Sequence, residues 1–212
     1  MSWRQWIRTV EIAPALAAAD PVTMESQVDA LLRTGCRVFH LRSGDELESA
    51  LRTARRVAPV LQRYDGVLDL QIDVPASPTV FTAIAEAGGS SVTFPLETAG
   101  EVGVAVATAR EVGLGVGVAY APGTDPVEAA ELAAGADIVR CPGIDASEQL
   151  RDLSLLSAGL PEGTPIQVGG GITHDNVREL YDAGARVLVV GAAIFEREDL
   201  PRAYRRLVQA LA

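Results

Sequence analysis

Residues 168–172 read VGGGI, and residues 190–195, about twenty positions further on, read VGAAIF. Each glycine segment follows a short apolar run and precedes a segment of helical composition. Main-chain amides at such a turn can point at an anion beyond the carboxyl end of the strand. Three successive glycines lose much backbone entropy on folding, which indicates that a ligand approaches the chain closely here. The two segments therefore predict a phosphate site formed by the amides of Gly170, Gly171, Gly191 and Ala192.

The same strand-then-helix order repeats eight times along the chain. The predicted strands are residues 10–15, 38–42, 68–72, 91–94, 115–120, 138–141, 166–168 and 187–190. The predicted helices are residues 23–33, 47–62, 79–87, 100–112, 126–133, 146–155, 174–183 and 200–211. Several predicted helices end in a Thr-Gly or Ala-Gly pair, and the glycine of each pair can close the last helical turn. The pairs are residues 34–35, 87–88, 134–135 and 183–184. Eight such units predict an α/β fold, a single (β/α)8 TIM barrel spanning residues 1–212.

Composition excludes several classes of function. The 18 basic and 28 acidic residues give a net charge of −10, which argues against a nucleic-acid partner. No apolar run approaches the roughly 20 residues that span a bilayer, so no membrane association is expected. Cys36 and Cys141 lack the spacing of a metal site and favour a reducing compartment, which predicts a cytoplasmic protein.

Several short motifs resemble one known family. They are residues 12–16 (IAPAL) with Asp20, 35–40 (GCRVFH), 68–70 (LDL), 117–119 (GVA) with 122–124 (PGT), 183–185 (AGA) and the two glycine segments. In this order they resemble the ribulose-phosphate 3-epimerase family over nearly the full chain. The resemblance implies a barrel of the ribulose-phosphate-binding type and a small phosphorylated sugar or related phosphate ester as ligand. It leaves a homo-oligomer possible, with Trp3 and Trp6 covering either the barrel bottom or a neighbouring subunit.

The resemblance also implies where the chain departs from the family. Members hold a divalent metal with two histidines and two aspartates, and the aspartates move the proton. His40 lies at one of these positions, whereas Arg42, Gln71 and Gly169 replace the other three ligands. One imidazole, one amide and one guanidinium are a poor donor set for Zn²⁺ or Fe²⁺, so we expect neither metal nor cofactor.

Two loops over the site are also shorter than the family pattern implies. They follow Asp45 and Cys141, and the second consists of residues 142–145 (PGID). A shorter cover leaves the pocket wetter, which weakens electrostatic contributions to catalysis.

Strand alternation places His40 and Arg42 on one side of the barrel wall, and likewise Gln71 and Asp73. One interpretation is a core histidine beside a structural Arg42–Asp73 ion pair. The other makes His40 and Asp73 the catalytic acid and base, with Arg42 stabilising an enediolate or carboxylate.

Three further residues are pocket candidates. Glu97 is either a base or an acidic residue that complements the dipole of the helix predicted at residues 100–112. Tyr120 and Arg140 end their strands, where they either contact substrate or cover the rim.

Three functions follow from these residues, and whether the protein is an enzyme stays open. The first is a metal-independent isomerase, epimerase or lyase acting on a small phosphorylated metabolite. The second is an inactive homologue that senses a sugar phosphate or serves as a partner subunit. The third, less favoured, is a metal-dependent ribulose-phosphate 3-epimerase with substituted ligands.

Overall fold

The computed structural model describes residues 3–9, 11–133, 135–143 and 146–212. Val10 of the first predicted strand, Ala134 of one helix-ending pair, and Ile144 and Asp145 of the shortened loop lie outside these ranges.

Eight parallel strands form one sheet that curves into a barrel. The strands are β1 (Glu11–Pro14), β2 (Val38–Arg42), β3 (Val67–Gln71), β4 (Ser91–Pro95), β5 (Gly115–Ala119), β6 (Ile138–Arg140), β7 (Ile166–Gly169) and β8 (Ala185–Val190). Their order is β1-β8-β7-β6-β5-β4-β3-β2, and a parallel bridge from Ala15 to His40 brings the two edges together. The predicted (β/α)8 barrel is confirmed.

Helices cover the outside of the barrel. They are α1 (Trp3–Trp6), α2 (Met24–Arg33), α3 (Leu47–Gln62), α4 (Pro78–Glu86), α5 (Val102–Glu111), α6 (Pro126–Leu132), α7 (Ala146–Gly159), α8 (Val177–Asp182), α9 (Ala192–Phe195) and α10 (Leu200–Gln209). The bounds of α3 agree with the prediction. The helix predicted from residue 174 begins three residues later, because the Asn176 side chain accepts a hydrogen bond from the Thr173 amide and holds a turn there.

Two regions of packed apolar side chains surround the strands. The larger lies between the barrel wall and the helices, where Phe39, Phe81 and Phe94 are fully buried. The smaller fills the amino-terminal end of the barrel, where Trp3 and Ile7 pack against the first residues of several strands. Helix α1, absent from the prediction, thus plugs the bottom of the barrel.

The barrel interior beyond this smaller cluster is polar instead. Its buried polar residues include His40, Asp69, Gln71, Ser91, Thr93 and Gln167. Both cysteines are free thiols. Across the described ranges, no helix is long and apolar enough to cross a membrane.

Candidate functional site

The centre of the polar interior is the carboxylate of Asp69, which is fully buried. One oxygen, Oδ2, lies 3.0 Å from His40 Nδ1 and accepts a 3.0 Å hydrogen bond from Gln167 Nε2. The other, Oδ1, accepts hydrogen bonds from the hydroxyls of Ser91 (2.7 Å) and Thr93 (3.0 Å). Strands β2, β3, β4 and β7 each supply a member, so the barrel register sets the network.

The network fixes the protonation of its two titratable members. Burial lowers the pKa of His40, and the charges of Arg140 and Arg42 act in the same direction, against the hydrogen bond that His40 donates to Asp69. Burial acts to raise the pKa of Asp69, but the hydrogen bonds that it accepts from His40, Gln167 and Ser91 outweigh burial and hold that pKa below its usual value. At neutral pH, a neutral imidazole therefore donates its Nδ1–H to an ionised carboxylate.

Arg140 extends this network toward the cavity. Its Nη1 donates a 2.9 Å hydrogen bond to Gln167 Oε1, so the Gln167 amide joins Arg140 to Asp69. Burial lowers the pKa of Arg140 to about 10, which leaves the guanidinium charged at neutral pH. Within the described ranges no carboxylate pairs directly with it.

Gly169 provides the space that this guanidinium occupies. A Cβ at residue 169 would lie 2.8 Å from Arg140 Nη2 and 3.1 Å from Val189 Cβ. The position that the resemblance assigns to a ligand aspartate thus lies beside an arginine head group.

Arg42 and Asp73 form a two-pronged ion pair at the barrel rim. Arg42 Nε and Nη2 donate to the two carboxylate oxygens of Asp73 at 2.8 and 2.9 Å. The Arg42 side chain is 61% exposed and that of Asp73 20%. The structural ion pair considered as one alternative is therefore present. The carboxylate that contacts His40 is Asp69, whereas Asp73 is paired with Arg42.

A cavity of about 530 Å³ opens at the carboxyl ends of the strands. Its walls bring together eight of the predicted residues: His40, Arg42, Arg140, Gly169, Gly170, Gly171, Gly191 and Ala192. Arg197, which the sequence did not suggest, lines the same cavity. The two glycine segments thus share one cavity with the buried histidine.

The glycine segments present main-chain N–H groups without helical or sheet partners. Gly170 and Gly171 adopt φ values of +96° and +61°, a left-handed conformation that side chains disfavour. The amides of Gly170, Gly171, Gly191 and Ala192 donate no backbone hydrogen bond to any other described residue. Unpaired amides in a cavity that Arg197 also lines form a surface suited to a phosphate.

A second cavity, of about 320 Å³, adjoins the first, and the two share Arg42, Arg140 and Gly143. Gln71, Asp73, Glu97 and Tyr120 also line this second cavity. The Gln71 side chain is buried, and its Oε1 accepts no hydrogen bond within the part of the chain that the structure describes.

The expected helix-dipole role of Glu97 is wrong. Helix α5 begins at Val102, with Glu101 as its N-cap residue, and Glu97 instead lies in a 3₁₀ turn. Its Oε1 accepts hydrogen bonds from the Ala121 amide (2.7 Å) and the Thr124 hydroxyl (3.0 Å). The Glu97 carboxylate therefore holds the loop that follows β5 through these two hydrogen bonds.

Tyr120 is buried beside Cys141. Its hydroxyl lies 3.4 Å from Cys141 Sγ, and burial raises the pKa of both groups, that of Cys141 to about 11. Neither group is ionised at neutral pH.

The loops after β6 and β7 are held together. The Gln149 amide donates to the carbonyls of Pro142 (3.1 Å) and Gly169 (3.3 Å). A Cβ on Gly143 would lie 2.6 Å from the Gly169 carbonyl oxygen, so the short loop rests directly on the glycine segment.

The donor set does not fit a divalent metal. The described residues contain no group of three or more histidine, cysteine, aspartate or glutamate side chains arranged to hold one. Carboxylates also line the two cavities, but within the described ranges they form no such group with His40; they are Asp73, Glu97 and Glu196. Three guanidinium groups, those of Arg42, Arg140 and Arg197, lie among them, and their positive charge opposes the binding of a further cation.

Sequence reasoning did not assign roles to Asp69 and Gln167. Both are polar residues inside short apolar strands. A polar side chain in such a strand indicates a buried hydrogen-bond network, because a buried polar or charged group must be paired or hydrogen-bonded.

Comparison with known proteins agrees with the barrel fold. The model of the Ribulose-phosphate 3 epimerase family matches residues 11–195. Ribulose-phosphate 3-epimerase from Aquifex aeolicus is 24% identical over 209 residues, covering 92% of this chain and 94% of the relative. The Rhodobacter capsulatus enzyme is 25% identical over 219 residues, covering 96% and 95%.

Solved structures share the fold. 3-Hexulose-6-phosphate synthase from Salmonella typhimurium superimposes with a TM-score of 0.74 at 18% identity, covering 95% of this chain and 98% of that one. Orotidine 5'-phosphate decarboxylase from Pyrococcus horikoshii gives 0.73 at 18% identity, covering 94% and 98%. At these identities the likeness concerns the barrel alone.

Proposed function

Because this chain belongs to the ribulose-phosphate 3-epimerase family, we propose that it binds a small phosphorylated metabolite and moves a proton on it without a metal. The observation that carries this proposal is the His40–Asp69 pair, which lies in the wall of the cavity formed by the two glycine segments.

The phosphate end of the ligand lies on the glycine segments. Their unpaired amides supply donors, and Arg197 supplies a cation. Local donors are needed because a chain of net charge −10 repels an anion at long range. Free thiols at Cys36 and Cys141 agree with a metabolite of the cytoplasm.

His40 is the acid/base group. Its Nδ1–H donates a hydrogen bond to Asp69, so the lone pair of Nε2 is the part of the ring that can accept a proton. Nε2 makes no hydrogen bond to another described residue. A neutral imidazole held in this tautomer accepts a proton at Nε2, and the Asp69 carboxylate stabilises the imidazolium that results.

The step is a proton transfer next to a carbonyl. Nε2 removes a proton from carbon, the C–H electron pair becomes a C=C bond, and the carbonyl oxygen gains the negative charge. The imidazolium then returns the proton to the same carbon, or it protonates the former carbonyl carbon while the hydroxyl proton of the adjacent carbon moves to the enediolate oxygen and the new C=O bond forms there. Asp73 is neutralised by Arg42, so His40 performs both transfers, which favours isomerisation over an epimerisation that needs two bases.

The test is solvent exchange. Phosphorylated pentoses and hexoses are incubated with the protein in deuterated water and followed by NMR. We expect deuterium to enter at a carbon beside the carbonyl, and His40→Gln to abolish its entry while the stabilisation of the fold by inorganic phosphate persists. The exposed histidine offers a matched control, His174→Gln, which retains exchange.

One observation favours a second function, that of an inactive sugar-phosphate sensor. The four hydrogen bonds on Asp69 also satisfy a purely structural buried carboxylate. Binding of a phosphorylated sugar without deuterium entry would support the sensor and contradict the enzyme. Failure of inorganic phosphate or sulfate to raise the melting temperature would contradict both.

A further inference from the structure

Arg140 is a charged group whose positive charge the site does not neutralise by direct contact. One guanidinium nitrogen, Nη1, bonds the neutral Gln167 carbonyl oxygen, and the other, Nη2, lies in the space beside Gly169. The nearby Asp69 carboxylate is already saturated by four hydrogen bonds and reaches Arg140 only through the Gln167 amide.

The two arginines at the site therefore differ. Arg42 donates through Nε and Nη2 to the carboxylate of Asp73, so the pair offers a ligand little net charge. Arg140 lines both cavities and keeps a side without a carboxylate among the described residues. A guanidinium in this state is a site for a planar anion.

Gln71 supplies an independent observation. Its side chain is 7% exposed and lines the second cavity, and Oε1 has no donor among the described residues. A buried acceptor without a donor costs free energy unless a ligand or water donates to it. Arg140 and Gln71 border the same cavity, so an anion on the first leaves an adjacent hydroxyl in position to donate to the second.

We infer that the ligand carries a carboxylate as well as its phosphate, with the carboxylate on Arg140, a neighbouring hydroxyl on Gln71, and the phosphate on the glycine segments. The substrate class is a phosphorylated hydroxy acid of the sugar-acid type. This inference rests on the proposed function for its phosphate end and adds the identity of the other end.

The test compares two probes that differ only at that end. 3-Phosphoglycerate and glycerol 3-phosphate share a terminal phosphate and a central hydroxyl, but one has a carboxylate where the other has a hydroxymethyl group. Dissociation constants are measured by calorimetry. We expect the wild-type protein to bind the carboxylate compound at least tenfold more tightly, as one charge-assisted contact provides.

Variants locate the preference. Arg140→Gln reduces the ratio of the two affinities to within about twofold and leaves glycerol 3-phosphate binding nearly unchanged. Gly169→Ala keeps the charge but displaces the guanidinium, because the new Cβ lies 2.8 Å from Nη2, and it should also reduce the ratio. The second variant decides the matter if Arg140→Gln fails to fold.

Three results would overturn the inference. They are equal affinities in the wild-type protein, a preference that survives both variants, or an Arg140→Gln loss shared equally by the two compounds, which would put the phosphate on Arg140. If neither probe nor inorganic phosphate binds, the phosphate end fails and the proposed function falls with it. Carboxylate preference without deuterium exchange would leave this inference standing and contradict only the proton transfer.

Discussion

The guanidinium of Arg140 occupies the space beside Gly169, where Nη2 lies 2.8 Å from the position of a Cβ. Gly169 ends β7 and Arg140 ends β6, so neighbouring strand ends place a cation against the one residue type that leaves room for it.

This contact predicts the cost of adding a methyl group. Gly169→Ala should destabilise the fold by about 1–3 kcal/mol, because the new Cβ must displace Arg140 and approaches Val189. Gly103→Ala is the matched control, since its Cβ would meet no atom within 4 Å outside its own helical turn and residue 103 lies in the first turn of α5. The control should stabilise by about 0.5–1 kcal/mol. Urea unfolding measures both, and equal effects would contradict the assigned contact.

The buried carboxylate at the centre of the network predicts a second difference. Asp69→Asn replaces one acceptor oxygen with an N–H donor, which must face either the donors from His40 and Gln167 or the hydroxyls of the neighbouring strand. We expect a loss of about 3–5 kcal/mol in the free energy of unfolding. Asp73→Asn, in the rim pair with Arg42, should cost about 1 kcal/mol or less. A ranking in the opposite order would show that the network does not carry the stability assigned to it.

Much of this architecture could be predicted from the sequence, for a physical reason. The period of the strands and helices is local, so the eight units and the end of the barrel at which the glycine segments lie follow from short stretches of chain. The side chains of His40, Arg42, Gln71 and Arg140 were expected at the site because each lies at or near the carboxyl end of its strand.

The partners of these residues could not be predicted. Asp69 bonds His40 across 29 positions and Gln167 across 98, and such pairings depend on barrel register rather than on local pattern. Arg42 and Arg140 are equivalent in sequence, as cations that end strands. Only the fold shows that Asp73 neutralises the first and that Gln167 and Gly169 surround the second.

His40 predicts a pH dependence of stability. An unfolded histidine has a pKa of about 6.5, and burial lowers the pKa of His40 in the fold. Below about pH 6.5 the unfolded chain thus binds a proton that the native chain refuses, so the free energy of unfolding falls as pH falls. Over the window from about pH 6.5 downward to the folded-state pKa, the loss approaches about 1.4 kcal/mol per pH unit.

Urea unfolding from pH 7.5 to 5.5 measures this slope. His40→Gln should flatten the profile, whereas His174→Gln shows how much of the slope belongs to the other histidine, which is exposed. Parallel profiles for the wild-type protein and His40→Gln would contradict a neutral buried imidazole.

The bottom of the barrel depends on Trp3. Its side chain is 4% exposed, packs with Ile7 on the first residues of several strands, and lies against Gly115, where a Cβ would collide with the indole. Trp3→Ala should cost about 3–5 kcal/mol, because it removes a large buried side chain and leaves a cavity in the apolar cluster at that end of the barrel. Trp3→Phe should cost less than half as much, since the indole Nε1 has no partner among the described residues and its loss removes an unsatisfied donor. Denaturant midpoints rank the two variants, and a Trp3→Ala protein as stable as the wild type would show that α1 is dispensable to the barrel.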